Sequence, residues 1–195
     1  ETARQAAALR TRFAPNDPTQ QFLALSHISY GHYADYGVDA CIEQVKRALA
    51  ISDTHPGVPS AAVLDAYSTL SGLHMAKGDA PGMQATADHA LAYMERHAPR
   101  NDAGKIRFLR YKGEGLADDG KAEAAVPILQ QAIALQEKTG SGTTPPLVLF
   151  NALGKAFAYL GRYRDAAATF SRAAALQGGT TGAASASTVV GNLAL

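Results

Sequence analysis

The 195-residue chain is 47% apolar and 18% charged, a balance that suits a folded protein and excludes an intrinsically disordered one. A net charge of +1 and an isoelectric point near 8.1 give no broad basic field, so direct contact with nucleic acid is not expected. Cys41 is the sole cysteine, which excludes an internal disulfide or a cysteine metal cluster, and no long apolar run offers a membrane span.

In chain order, residues 1–13 read as an amphipathic helix, the second of a hairpin whose first helix is missing. A breaker-rich stretch at 14–18 leads to a whole hairpin at 18–53, with Ser26, Tyr30 and Tyr33 before Gly37 and Ile42, Val45 and Ala48 after it. The next hairpin, at 59–97, sets Tyr67, Leu70 and His74 before Gly78, then Met83, Ala87 and Ala90. A third, at 102–138, sets Leu109, Gly113 and Leu116 before Gly120, then Ala125, Leu129, Ala132 and Leu135. The fourth, at 145–177, is the most regular. Phe150, Leu153, Phe157 and Leu160 form one helical stripe before Gly161, and Tyr163, Ala166, Phe170, Ala173 and Leu176 form another. Residues 184–195 read as a first helix without its partner.

The hairpins share a pitch. Alanine signatures beginning at Ala6, Ala48, Ala90, Ala132 and Ala173 are separated by 42, 42, 42 and 41 residues. Self-similarity at such a period marks a stacked repeat protein, in which each unit buries its apolar face against its neighbours. The expected fold is therefore all-α, a solenoid of four hairpins flanked by a half repeat at each end. Small residues such as Gly154 and Ala173 would sit where helix axes approach to about 8–10 Å. Interior repeats without polar caps, and a start at Glu1, suggest a piece of a longer, bacterial protein whose exposed ends could self-associate.

The residues Leu153-Gly154, Phe157, Leu160-Gly161, Tyr163, Ala166, Phe170 and Ala173 resemble the small-and-large pattern of a tetratricopeptide repeat (TPR). The usual repeat has about 34 residues; the longer pitch here is similar to that of kinesin light chain repeats. Pro127 early in a second helix and Asp53-Thr54-His55-Pro56 between repeats add to the likeness. The resemblance implies a right-handed α-α superhelix whose first helices line a concave face. Gly178 stands where the family places a proline, Ser29 where it prefers leucine, and Glu114 where a chaperone-tail clamp would need asparagine.

No residue set announces catalysis, and no metal or cofactor is expected. His27 and His32 lie on different helical faces, His74 falls in an interior stripe, and no zinc-protease spacing occurs. Cys41 reads as a small buried residue near a helix start, a place that would lower its pKa. Gly113-Glu114-Gly115 and Gly140-Ser141-Gly142 lack the spacing of phosphate loops and read as packing or hinge glycines. Asp118-Asp119 reads as turn solvation.

By the family's register, the inward positions are His27 and Gly31, then Ser68 and Met75, then Arg107, Arg110 and Glu114, then Asn151, Lys155 and Tyr159. Arg107 and Arg110 share a helix face and, with Lys155, would make a cationic patch for a carboxylate or acidic segment. The alternative is a solvated charged face. Asn151 stands where family members hydrogen-bond an extended peptide. These expectations favour a non-catalytic scaffold that holds a peptide, a helix or a neighbouring domain of its parent protein, without membrane insertion. A second reading is a ligand-sensing domain of a bacterial signalling protein, such as a Ser/Thr kinase or a transcription regulator. The cytoplasm is the expected compartment, or the periplasm if the parent carries a membrane span.

Overall fold

A computed structural model describes residues 17–26, 36–140 and 144–176. Among them run α1 (Pro18–Ser26), α2 (Val38–Thr54), α3 (Ser60–Lys77), α4 (Ala80–His97), α5 (Asp102–Asp118), α6 (Ala122–Thr139), α7 (Pro146–Tyr159) and α8 (Tyr163–Ala175), with no strand. The helices pack in sequence order, α1 on α2, α2 on α3 and so on to α8. In addition α3 touches α1, α5 touches α3, and α7 touches α5, so the odd-numbered first helices form a layer of their own. Residues 1–13 and 184–195, together with Tyr30, Gly31 and His32, lie outside the described residues.

The alanine pitch has a direct structural meaning. Ala48, Ala90 and Ala132 are 0% exposed and Ala173 is 3% exposed, each at the contact of a second helix with its neighbours. Larger side chains there would hold the axes apart. Glycines meet the same need within the hairpins. A Cβ on Gly113 would lie 2.5 Å from Leu129, and one on Gly154 would lie 2.7 Å from the Phe170 ring.

Each hairpin turns on a residue that only glycine supplies easily. Gly37, Gly78, Gly120 and Gly161 have φ of 79°, 73°, 74° and 70°, the left-handed region that disfavours a side chain. Beyond two of the loops the next helix is capped. Asp79 accepts from the Gly82 amide and Asn101 from the Gly104 amide, both at 2.9 Å, satisfying amides that a helix start leaves unpaired.

Two expectations need correction. Cys41 does sit near the start of α2, but it is 1% exposed, and burial pushes its thiol pKa up, not down. Desolvation of the thiolate outweighs the helix start. Asp118 and Asp119 do more than solvate a turn. Asp118 pairs with Lys155 at 2.6 Å, and Asp119 pairs with Lys121 and accepts from Gln84.

Candidate protein-binding face

The first helices α3, α5 and α7 carry all the described inward candidates. Ser68 is half-buried on α3, and Met75 near its end is 42% exposed. Arg107, Arg110 and Glu114 are partly buried on α5. On α7, Asn151 is exposed, Lys155 is partly buried, and Tyr159 is 50% exposed. His27 lies outside the described residues.

Helical spacing and helix contact together create a chain of ion pairs. Within α5, Arg110 and Glu114 are one turn apart and meet at 2.6 Å, with side chains only 12% and 16% exposed. Arg110 also lies 4.1 Å above the Tyr111 ring, and its Nε is buried with no hydrogen-bond partner among the described residues. Burial raises the Glu114 carboxyl above its ordinary value, while the charge and hydrogen bond of Arg110 pull the other way.

Two further pairs cross between first helices. Arg107 of α5 reaches Asp65 of α3 at 3.7 Å, and Lys155 of α7 reaches Asp118 of α5 at 2.6 Å. Tyr159 donates to the same Asp118 at 3.3 Å, and the Lys155 ammonium sits 5.5 Å from the Tyr159 ring. Burial works to lower the Lys155 pKa, but its bond to Asp118 and that group's charge outweigh it, so the net shift is upward. The ammonium is therefore firmly charged.

The three cations named from sequence thus each hold a carboxylate. The face is a mosaic of ion pairs in which Asp65, Glu114 and Asp118 hold these cations. Asp65 and Asp118 were not singled out as partners from the sequence. Asp65 lies one repeat before Arg107, and Asp118 falls one turn beyond Glu114, so the repeat register could have flagged both. A cleft of about 690 Å³ opens beside this cluster, bordered by Asp118, Lys121, Glu123 and Tyr159.

Among the described residues no group of three His, Cys, Asp or Glu side chains could hold a metal ion. No described helix is long and apolar enough to cross a membrane.

No family model matches the chain, and no curated protein matches it either. Solved structures do. The nearly identical TPR-like repeats of the kinesin light chain type from Podosopora anserina superpose with a TM-score of 0.71 at 17% identity, covering 90% of this chain and 83% of that one. BtubC (BKLC) from P. vanneervenii gives a TM-score of 0.74 at 13% identity, covering 99% and 83%. The chain therefore has the TPR-like repeat fold.

Proposed function

We propose that this TPR-like solenoid is a non-catalytic scaffold that holds a protein segment against the layer of first helices α3, α5 and α7. The observation that carries this reading is Arg110. Its guanidinium is mostly buried among its neighbours, yet one of its N–H donors is left without a partner, beside the ion pair with Glu114. A buried donor left unmade costs about 1–3 kcal/mol; a carbonyl or carboxylate of a bound segment would recover it once Arg110 swings outward from Glu114. Lys155, Asn151 and the half-exposed Tyr159 on the next first helix would extend the contact, with Tyr159 as the aromatic anchor.

The neighbouring ion pairs define what fits. A segment carrying one or two carboxylates among neutral residues can exchange with Asp118 or Glu114, whereas a uniformly basic segment meets Arg107, Arg110 and Lys155. The segment belongs to another protein or to a neighbouring domain of the same parent, in this reading a larger bacterial one. Selection of peptides from a random displayed library on the purified chain tests the reading. The selected peptides should lose affinity for a chain carrying Arg110→Met, Glu114→Leu and Lys155→Glu, while its helix content by circular dichroism stays the same. Unchanged affinity would remove this face from consideration.

A further inference from the structure

The apolar core is not continuous along the solenoid. Buried residues of α1, α2 and α3 form one cluster, and those of α3, α4 and α5 form another, with Tyr67 leaning on both. Where the two divide, a groove of about 450 Å³ runs between α2 and α4 with α3 beneath it. Lys46, Leu49 and Asp53 of α2, Tyr67, Leu70 and His74 of α3, and Thr86 and His89 of α4 line it. On each helix these positions fall three, four or seven apart, so each contributes a single stripe.

The next seam along the chain shows what this one lacks. Counted from the turn glycines, the position of His74 is held by Leu116 in the next repeat and by Phe157 in the last, and that of Thr86 is held by Ile128 in the next. Leu116 and Ile128 pack against the core there, and Phe157 is 6% exposed within it. Two polar residues thus replace the apolar plug of the next seam, whereas the last seam again has a threonine, Thr169, and a groove of about 600 Å³ beside Phe150 and Arg172.

The polar groups are also ordered. Asp79 accepts from the Gly82 amide at 2.9 Å and lies 2.8 Å from His74 Nδ1. The Gly82 amide first, and His74 besides, hold its carboxyl below the usual carboxylate value, so it is ionised and can only accept. His74 Nδ1 must therefore carry the hydrogen that Asp79 accepts. The Thr86 hydroxyl donates to the Gly82 carbonyl at 2.8 Å and keeps its lone pairs. Asp53 forms no ion pair among the described residues, while Lys46 is taken by Glu43 and Arg96 turns onto the Ala92 carbonyl. Beneath these acceptors, Leu49 and Leu70 are 7% and 5% exposed.

From this combination we infer that the α2–α3–α4 seam is a binding site for a small organic cation, a protonated amine on a compact apolar body. The ammonium would lie at the Asp53 and Tyr67 end, where a carboxylate and an aromatic ring face it together. The apolar body would cover Leu49 and Leu70 and fill the space that Leu116 and Ile128 occupy in the next repeat. None of these residues belongs to the ion-pair face, so this site and the protein-binding reading stand or fall separately.

Benzylamine, with benzoate as the anion of similar shape, tests the assignment by backbone amide NMR of the whole chain at millimolar ligand. Benzylamine should shift the amides around Leu49 to Asp53, Tyr67 to His74 and Thr86, and benzoate should leave them in place. Thr86→Ile, copied from the next repeat, should abolish those shifts, and the exposed Asp53→Asn change should weaken binding roughly tenfold, the loss of one charge-assisted contact. Equal shifts from benzoate, no shifts from benzylamine at these amides, or undiminished binding by Asp53→Asn would each overturn it.

Discussion

Lys155 and Asp118 meet at 2.6 Å across the contact of two first helices, and the same carboxylate receives the Tyr159 hydroxyl at 3.3 Å. One acidic side chain therefore occupies two of the groups to which the proposed function assigns the partner. In the proposed binding mode, Asp118 is the resident carboxylate that an incoming one would replace.

Asp118→Asn should accordingly tighten binding of the acidic peptides selected on this face, by roughly fivefold, because Lys155 is then uncommitted. The stability cost should be small, about 0.5–1 kcal/mol, since both side chains remain partly in water. Fluorescence anisotropy and urea unfolding separate the two effects. Weaker peptide binding would mean that Asp118 itself contacts the segment.

The Arg110–Glu114 pair should behave as a buried one. Arg110→Met leaves a desolvated carboxylate and should cost about 2–3 kcal/mol at neutral pH, whereas Arg110→Met with Glu114→Leu should be close to neutral. The pH dependence follows from the sign of the shift. Glu114 has a raised pKa in the folded chain, so the folded state takes up the proton more readily than the unfolded one. Its contribution is most favourable below the ordinary glutamate pKa and is lost as pH rises through the folded value. The Arg110→Met chain should therefore regain stability on mild acidification, as read by urea midpoints at two pH values. A deficit independent of pH would contradict this.

Asp79 predicts the opposite trend. Its carboxyl is held below the ordinary value by the Gly82 amide and then by His74, so its contribution is present above the ordinary aspartate pKa. That contribution disappears as pH falls through the folded value. Asp79→Ala removes the cap of α4 and should cost about 1–2 kcal/mol at neutral pH. Asp79→Asn keeps a capping oxygen and should lose less, but should flatten the acid limb of the stability profile.

Packing at Gly154 should be unforgiving. Alanine there gains helix propensity worth about 1 kcal/mol. Its Cβ, however, would fall 2.7 Å from the edge of the Phe170 ring, which is held within the same core cluster. Overpacking of this kind costs about 1–3 kcal/mol, so Gly154→Ala should lower the melting temperature. Adding Phe170→Leu should restore part of the loss. A stabilised Gly154→Ala chain would show that α7 and α8 are less closely nested than described.

The fold was legible because its determinants repeat. Ala48, Ala90, Ala132 and Ala173 mark one buried contact again and again, and Gly37, Gly78, Gly120 and Gly161 mark one turn. Each is a local requirement, written at the residue that meets it. The face was legible only in half. Arg107, Arg110 and Lys155 could be placed inward by register, but their partners Asp65 and Asp118 come from other turns and other helices. A charge read singly looks available, and only packing shows that it is taken. The hollow seam escaped for another reason. His74 looked like an ordinary interior histidine until it was compared with Leu116 and Phe157 at the same register.

Photo-crosslinking places the partner most directly. A benzophenone side chain at Asn151, exposed on first helix α7, should capture the selected peptide, and the same group at Ala168, exposed on second helix α8, should not. Adducts from position 168 with none from position 151 would contradict the proposed face.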